Sequence, residues 1–131
     1  MAHAAPVLGT VGYPPGCGIY INRANEKPKQ DTLLAFDGDT EALTITIDGK
    51  TQTIPLIEKK GNPQNPGDAY RRTYQNNTTT ATLHLKMRGH CGTHTKADIP
   101  EACEYISFKG QLNLITASGT LSVPITASEG C

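Results

Sequence analysis

The sequence contains no tryptophan, few aromatic residues of any kind and no excess of either charge. Aromatic residues make up 5% of the 131 residues, and Lys+Arg and Asp+Glu both number 12, so the formal net charge is zero. Nucleic-acid-binding proteins normally carry a basic excess, so the composition argues against a nucleic-acid partner. The longest apolar run is far shorter than the roughly 18 residues of a membrane-spanning helix, so no membrane span is expected.

Motifs that would specify catalysis or calcium binding are also missing. The serines do not occur in the GxSxG pattern of a nucleophile elbow. Glu101 and Glu104 are the only close pair of acids outside predicted turns, and the chain has no Trp to form a sugar platform. The acidic segment 37–41 lacks the twelve-residue spacing of a calcium loop and is interpreted as a β-turn. We therefore expect a protein that is not an enzyme and uses no cofactor.

What the sequence does contain is typical of β-structure. Residues 42–47 alternate apolar and polar side chains, Asp48-Gly49 suits a hairpin turn, and residues 51–57 continue as the return strand. Pro55 cannot donate a ladder hydrogen bond, so this return strand is expected to be an edge strand or bulged. The sequence predicts an all-β fold, a small antiparallel barrel or sandwich of seven to eight strands. It forms one domain over residues 17–131, preceded by an extended arm over residues 1–16.

Four cysteines indicate the compartment. They permit three pairings. We predict that Cys91 pairs locally with Cys103 and that Cys17 pairs with Cys131. The domain would then be disulfide-stapled. Such a framework is typical of small domains in oxidising compartments, so a periplasmic or secreted protein is expected. The segment 2–4 reads small-x-small, as before a signal-peptidase site, although it is equally consistent with an ordinary chain terminus.

A second interpretation of the same region is a metal site. His90 and His94 flank Cys91, and imidazole and thiolate are ligands that zinc and copper prefer. His84 is a further candidate ligand. The cysteine spacing is not CxxC, and a Cys91–Cys103 disulfide would use both sulfur atoms. A disulfide-bonded loop with two exposed histidines is therefore preferred, and His90 and His94 remain weak metal candidates.

The most promising binding segment is a Pro/Gly-rich loop followed by tyrosines and arginines. Two prolines and two glycines in residues 61–67 restrict the shape of this loop, which lowers the entropy lost on docking. Tyr and Arg are common at the centre of protein interfaces. The alternative is a plain strand connection whose tyrosines are core residues. The candidate partner-binding residues are Pro66, Gly67, Asp68, Tyr70, Arg71 and Arg72.

The middle of the chain resembles a known family. The resemblance is to the MliC/PliC inhibitors of C-type lysozyme. It covers residues 48–56, a variable loop, Gly67-Asp68-Ala69-Tyr70 and a Thr-rich strand. The resemblance implies a small secreted bacterial β-barrel with an inhibitory loop that enters the lysozyme cleft. In that family the loop carries Ser-Gly-x-x-Tyr; here Gly67 and Tyr70 match, and Pro66 occupies the serine position.

Size, compartment and resemblance together predict a non-enzymatic binding protein. We expect an inhibitor or immunity factor whose partner is a peptidoglycan-active enzyme such as lysozyme. Two alternatives stay open: a periplasmic copper- or zinc-binding module, and a structural subunit of a cell-surface assembly.

Overall fold

Described residues of the computed structural model comprise 5–27, 31–38, 41–90 and 105–130. Within these ranges every regular secondary-structure element is a β-strand, in agreement with the alternating pattern of the sequence. The strands are β1 (Val11–Gly12), β2 (Gly18–Arg23), β3 (Thr32–Leu33), β4 (Ala35–Asp37), β5 (Ala42–Ile47), β6 (Lys50–Lys60), β7 (Ala69–Gln75), β8 (Thr80–His90), β9 (Tyr105–Thr116) and β10 (Gly119–Gly130).

Eight of these strands form a closed antiparallel barrel in the order β10-β2-β4-β5-β6-β7-β8-β9. The short strands β1 and β3 pair with each other outside the barrel. The predicted all-β fold and antiparallel barrel are therefore confirmed, and the sandwich alternative is not the architecture found. No helix in the described ranges has the length and hydropathy needed to cross a membrane.

The predicted hairpin between β5 and β6 is present. Asp48 and Gly49 have φ values of 51° and 80°, the positive values that a tight two-residue hairpin turn requires. Pro55 pairs with Ala42 at the last position of the ladder. Strand β6 has neighbours on both sides, so it is not an edge strand. The β6–β7 register instead shifts between Leu56 and Glu58, a bulge next to the proline.

The core fills the barrel interior with alternate side chains from each strand. On β8, Leu83, Leu85 and Met87 are buried, as their alternation with polar residues predicts. Phe108 and Leu112 face them from β9 and are fully buried. Leu8 from the predicted N-terminal arm also belongs to this core and bridges to β5. Burial of such side chains contributes about 1.5–3 kcal/mol each, so the interior stabilises the whole barrel.

The candidate partner-binding loop lies at one end of the barrel. Because β6 ends at Lys60 and β7 begins at Ala69, their connecting loop lies at this end, together with the end of β4. Gly18 pairs with Gly130 at the same end, so Cys17 directly precedes a paired residue. Cys17 is not a free thiol. Cys91, Cys103 and Cys131 lie outside the described residues, so both disulfide pairings stay predictions.

We predict that Gly110→Ala destabilises the barrel strongly. A Cβ at Gly110 would lie 1.8 Å from the carbonyl oxygen of His84 on the neighbouring strand, well inside van der Waals contact. Because that neighbour is backbone, β8 and β9 would have to separate, at an expected cost of about 3 kcal/mol. Urea unfolding measures this difference. Gly12→Ala, where the added Cβ has nothing within 4 Å, is the matched control.

Candidate functional site

The loop over residues 61–68 ends in a well-defined turn. The amide of Asp68 donates to the carbonyl oxygen of Asn65 at 3.0 Å, which closes a four-residue turn. Pro66 stands at its second position, and Gly67 has a φ of 93° at its third, the arrangement of a type II turn. Pro66 and Gly67 are exposed. The turn therefore presents a fixed backbone shape to solvent.

The carboxylate of Asp68 holds the loop together from within. Its Oδ2 accepts the backbone amides of Gln64 and Asn65, each at 2.9 Å. These amide hydrogen bonds lower the pKa of Asp68 below its ordinary value, because they favour the charged carboxylate. A group with a lowered pKa stabilises the fold above its ordinary pKa and loses that contribution in acid. The turn is therefore fully capped at neutral pH.

Two backbone hydrogen bonds attach the same turn to β8. The amide of Gly67 donates to the carbonyl oxygen of Met87 at 2.8 Å. The amide of Met87 donates to the carbonyl oxygen of Asp68 at 3.0 Å. The turn thus continues the sheet rather than extending freely. A loop fixed in this way loses little conformational entropy when it binds a partner.

Beneath the turn lies a buried polar cluster that we call the Arg72 cluster: Asp37, Tyr70, Arg72 and Tyr74. Nη2 of Arg72 donates to Oδ2 of Asp37 at 2.5 Å, Nε donates to the Tyr74 hydroxyl at 2.8 Å, and Nη1 donates to the Tyr70 hydroxyl at 2.5 Å. The Tyr74 hydroxyl donates in turn to Asp37 Oδ2. Arg72 is 6% exposed, Asp37 2% and Tyr74 0%. The cluster joins β4 to β7 inside the barrel.

Burial and hydrogen bonding fix the charge states of the cluster. Burial opposes the charge of Arg72, but its hydrogen bonds and its attraction to its partners outweigh burial and raise its pKa above the ordinary value. Burial, followed by the hydrogen bond to Asp37, raises the pKa of Tyr74 far above its ordinary value. Arg72 therefore stays cationic and Tyr74 stays neutral throughout the physiological range.

The raised pKa of Tyr74 predicts a loss of stability in alkali. Unfolded Tyr74 releases its proton near pH 10, whereas the folded protein retains it, so the folded state binds more protons above that pH. We expect the free energy of unfolding to fall above about pH 10, by up to about 1.4 kcal/mol per pH unit. Urea unfolding at several alkaline pH values measures the slope. The Tyr74→Phe variant should lack the part of this slope that Tyr74 causes. An identical slope in both proteins would show that Tyr74 does not cause the loss of stability.

The structure places the six candidate partner-binding residues in different surroundings. Pro66, Gly67 and Asp68 belong to the turn. Arg72 is buried inside the barrel, where a binding partner could not reach it. Arg71 points to the outer face and pairs with Glu58 at 2.8 Å. Tyr70 is half-buried: its ring packs against Phe108, with ring centres 6.1 Å apart, and its hydroxyl is held by Arg72. These contacts favour the core interpretation of Tyr70.

A groove runs along the outer face of β7, β8 and β9 beside the turn. Its volume is about 1490 Å³, and Pro66 and Gly67 form part of its wall. Several basic residues line the groove, and no Asp or Glu occurs among the described residues that line it. We call it the basic groove, defined by Lys60, Arg71, His84, Lys86, Arg88 and Lys109.

Two of the three histidines proposed as metal ligands belong to the described residues. His84 is an exposed residue of the basic groove, and His90 is half-buried at the end of β8. His94, Cys91 and Cys103 lie outside the described residues. In the part of the chain that the structure describes, no group of three or more His, Cys, Asp or Glu side chains could hold a metal ion.

Sequence reasoning missed Asp37, which it assigned to an acidic turn. The residue ends β4, and its carboxylate is the anionic partner of Arg72. No local signal marks it as inward-facing, because residues 33–36 before it are all apolar and do not alternate. The equal spacing of Tyr70, Arg72 and Tyr74 could have placed all three on one face, but not decided which face is buried.

Comparisons with known proteins found no family model, curated protein or solved structure that matches this chain.

Proposed function

We propose that this chain is a non-enzymatic periplasmic or secreted binding protein that inhibits a cell-wall-degrading enzyme such as C-type lysozyme. The observation that carries the proposal is the exposed Asn65–Asp68 turn, which is fixed by the Asp68 carboxylate and by β8. A rigid, exposed turn can occupy an enzyme cleft at low entropic cost. The partial resemblance to the MliC/PliC inhibitors supports the same function.

Charge near the turn supports an enzyme with an acidic cleft. Glycan-cleaving enzymes generally use two carboxyl groups on either side of the scissile bond. Lys60 is exposed and pairs across strands with half-buried Arg71 at the base of the turn. An inhibitor that inserts the turn would bring these cations toward the acidic residues of the cleft, where opposite charges favour correct docking. The buried Arg72 supports β7 from inside and takes no part in contact.

The test compares two glycine variants in an inhibition assay. Gly67 and Gly49 both have positive φ, 93° and 80°, and open space around the missing Cβ. Alanine at either position should therefore cost a similar stability, about 1 kcal/mol. Gly49 lies at the opposite end of β6 from the candidate turn. We expect Gly67→Ala to weaken inhibition of C-type lysozyme at least about tenfold and Gly49→Ala to leave it unchanged.

Two outcomes would contradict the proposal. The first is an absence of inhibition of every peptidoglycan hydrolase tested, including C-type lysozyme, by the oxidised wild-type protein. The second is an equal loss of inhibition in both glycine variants, because the effect would then follow from stability rather than from the turn.

A further inference from the structure

The basic groove places like charges next to one another on neighbouring strands. Lys86 and Lys109 are directly opposite in the β8–β9 ladder, and Lys60 is directly opposite Arg71 in the β6–β7 ladder. Like charges at such positions destabilise a sheet. A sequence that keeps an unfavourable local pair often does so where function requires it. The arrangement therefore points to a ligand that supplies the missing negative charge.

Most of these cations are available to a ligand. Lys60, Lys86, Arg88 and Lys109 are exposed, and within the described ranges none of them makes an ion pair. Arg71 is the exception, because it contacts Glu58. The chain as a whole has no net charge, so this patch results from the segregation of charges and not from composition. Such segregation creates a local positive potential.

The spacing of the cations suits an extended ligand with repeated charges. Alternate residues of a strand lie about 7 Å apart, and neighbouring strands lie about 5 Å apart. His84, Lys86 and Arg88 therefore form a row along β8, and Lys109 lies beside its centre. A linear polyanion can contact several of these groups at once, which increases its affinity through multivalency.

Two other ligand classes fit the groove less well. Single-stranded nucleic acid normally requires aromatic side chains on which the bases stack. Tyr70 is the one Phe, Tyr or Trp among the described groove-lining residues, and its ring and hydroxyl are engaged by Phe108 and Arg72. An extended acidic peptide normally adds to an exposed sheet edge, but the barrel strands form a closed ring.

We infer that the basic groove binds a linear anionic polysaccharide through its carboxylate or sulfate groups. Lys86, Arg88 and Lys109 provide the central contacts, and Lys60 and Arg71 extend them toward the turn. This binding goes beyond the proposed enzyme inhibition, because it uses the outer face of the sheet and a different class of ligand. It would hold the protein close to an anionic glycan.

The experiment measures binding of the intact, oxidised chain to defined polymers by titration calorimetry. Dextran sulfate provides sulfate groups, polygalacturonate provides carboxylates, and neutral dextran is the uncharged control. We expect at least one anionic glycan to bind and neutral dextran not to bind. Binding should weaken at least about tenfold when the salt concentration rises from about 50 mM to about 500 mM, because exposed charges are screened.

A charge-reversal variant tests the location of the site. Lys86→Glu with Lys109→Glu should reduce glycan affinity at least about tenfold without lowering the melting temperature, since it removes no buried contact. The matched control is Lys27→Glu with Lys50→Glu, which makes the same change in net charge at exposed residues outside the groove. The glycan affinity of this control should fall at most about twofold.

Several results would overturn the inference. Equal losses in the two double variants would show that net charge, rather than the groove, governs binding. Tighter binding of oligothymidylate or polyglutamate of matched charge than of either anionic glycan would show that the ligand class is wrong. Binding that salt does not weaken would exclude the electrostatic mechanism. Because Gly67→Ala leaves all six basic side chains in place, this test and the inhibition assay fail independently.

Discussion

Arg72→Met should lower the free energy of unfolding by about 3–5 kcal/mol, because it leaves the Asp37 carboxylate buried without its cation. Asp37 is 2% exposed, and its Oδ1 already has no hydrogen-bond partner among the described residues. Oδ2 accepts from both Arg72 and Tyr74. Removal of Arg72 would thus leave a desolvated charge with a single neutral donor. Urea unfolding of the purified variant measures the loss.

The neighbouring residue provides the control. Arg71→Met removes an arginine of the same strand from an ion pair with Glu58, where the side chains are 39% and 54% exposed. Exposed ion pairs contribute about 0–1 kcal/mol, so the loss should be small. Asp37→Leu combined with Arg72→Met and Tyr74→Phe should recover much of the stability, because no buried charge remains. Equal losses in the Arg71 and Arg72 single variants would contradict the buried cluster.

Removal of the predicted Cys17–Cys131 disulfide should have a similarly large effect. The two cysteines adjoin Gly18 and Gly130 in the sequence, and these glycines pair across β2 and β10. A crosslink that closes nearly the whole chain restricts the unfolded state and contributes about 4–5 kcal/mol in the chain-entropy model. We expect Cys17→Ser with Cys131→Ser to lose about that amount in thermal or urea unfolding.

Peptide mapping without reduction decides the pairing. A peptide containing Cys17 should be recovered linked to the C-terminal peptide, and Cys91 should be linked to Cys103. A link from Cys17 to Cys91 or Cys103 would contradict the prediction. Cys91→Ser with Cys103→Ser, which opens a much smaller loop, should cost less, about 3 kcal/mol.

The local sequence pattern was sufficient to predict most of the barrel strands, but it did not predict the buried polar contacts inside the barrel. Residues 42–47 and 82–87 alternate so regularly that their strand form and core-facing side chains followed directly from the sequence, although Thr46 on the predicted solvent face is also buried. The Arg72–Asp37 pair joins residues 35 positions apart. Such a contact depends on the registers of β4, β5, β6 and β7 together. A shift of one residue would have exposed Arg72 instead, and no local signal decides between the two faces.

The basic groove could not be predicted from the sequence for a different reason. Its cations come from β6, β7, β8 and β9, and the acidic residues elsewhere balance them in the total. Composition reports only that total, so a neutral chain gave no indication of a charged face. The Asn65–Asp68 turn, in contrast, could be anticipated from its proline and glycine, whose backbone preferences match the second and third positions of a type II turn.

We propose the Asn65–Asp68 turn as the contact surface for a cell-wall-degrading enzyme. The most direct test is an NMR titration of the isotope-labelled, oxidised protein with C-type lysozyme. We expect a one-to-one complex whose largest amide shift changes lie within residues 64–68, with little change at Asp48 and Gly49 at the opposite end of β6. An unchanged spectrum at about 100 μM enzyme, or changes centred on the Asp48–Gly49 turn, would contradict it.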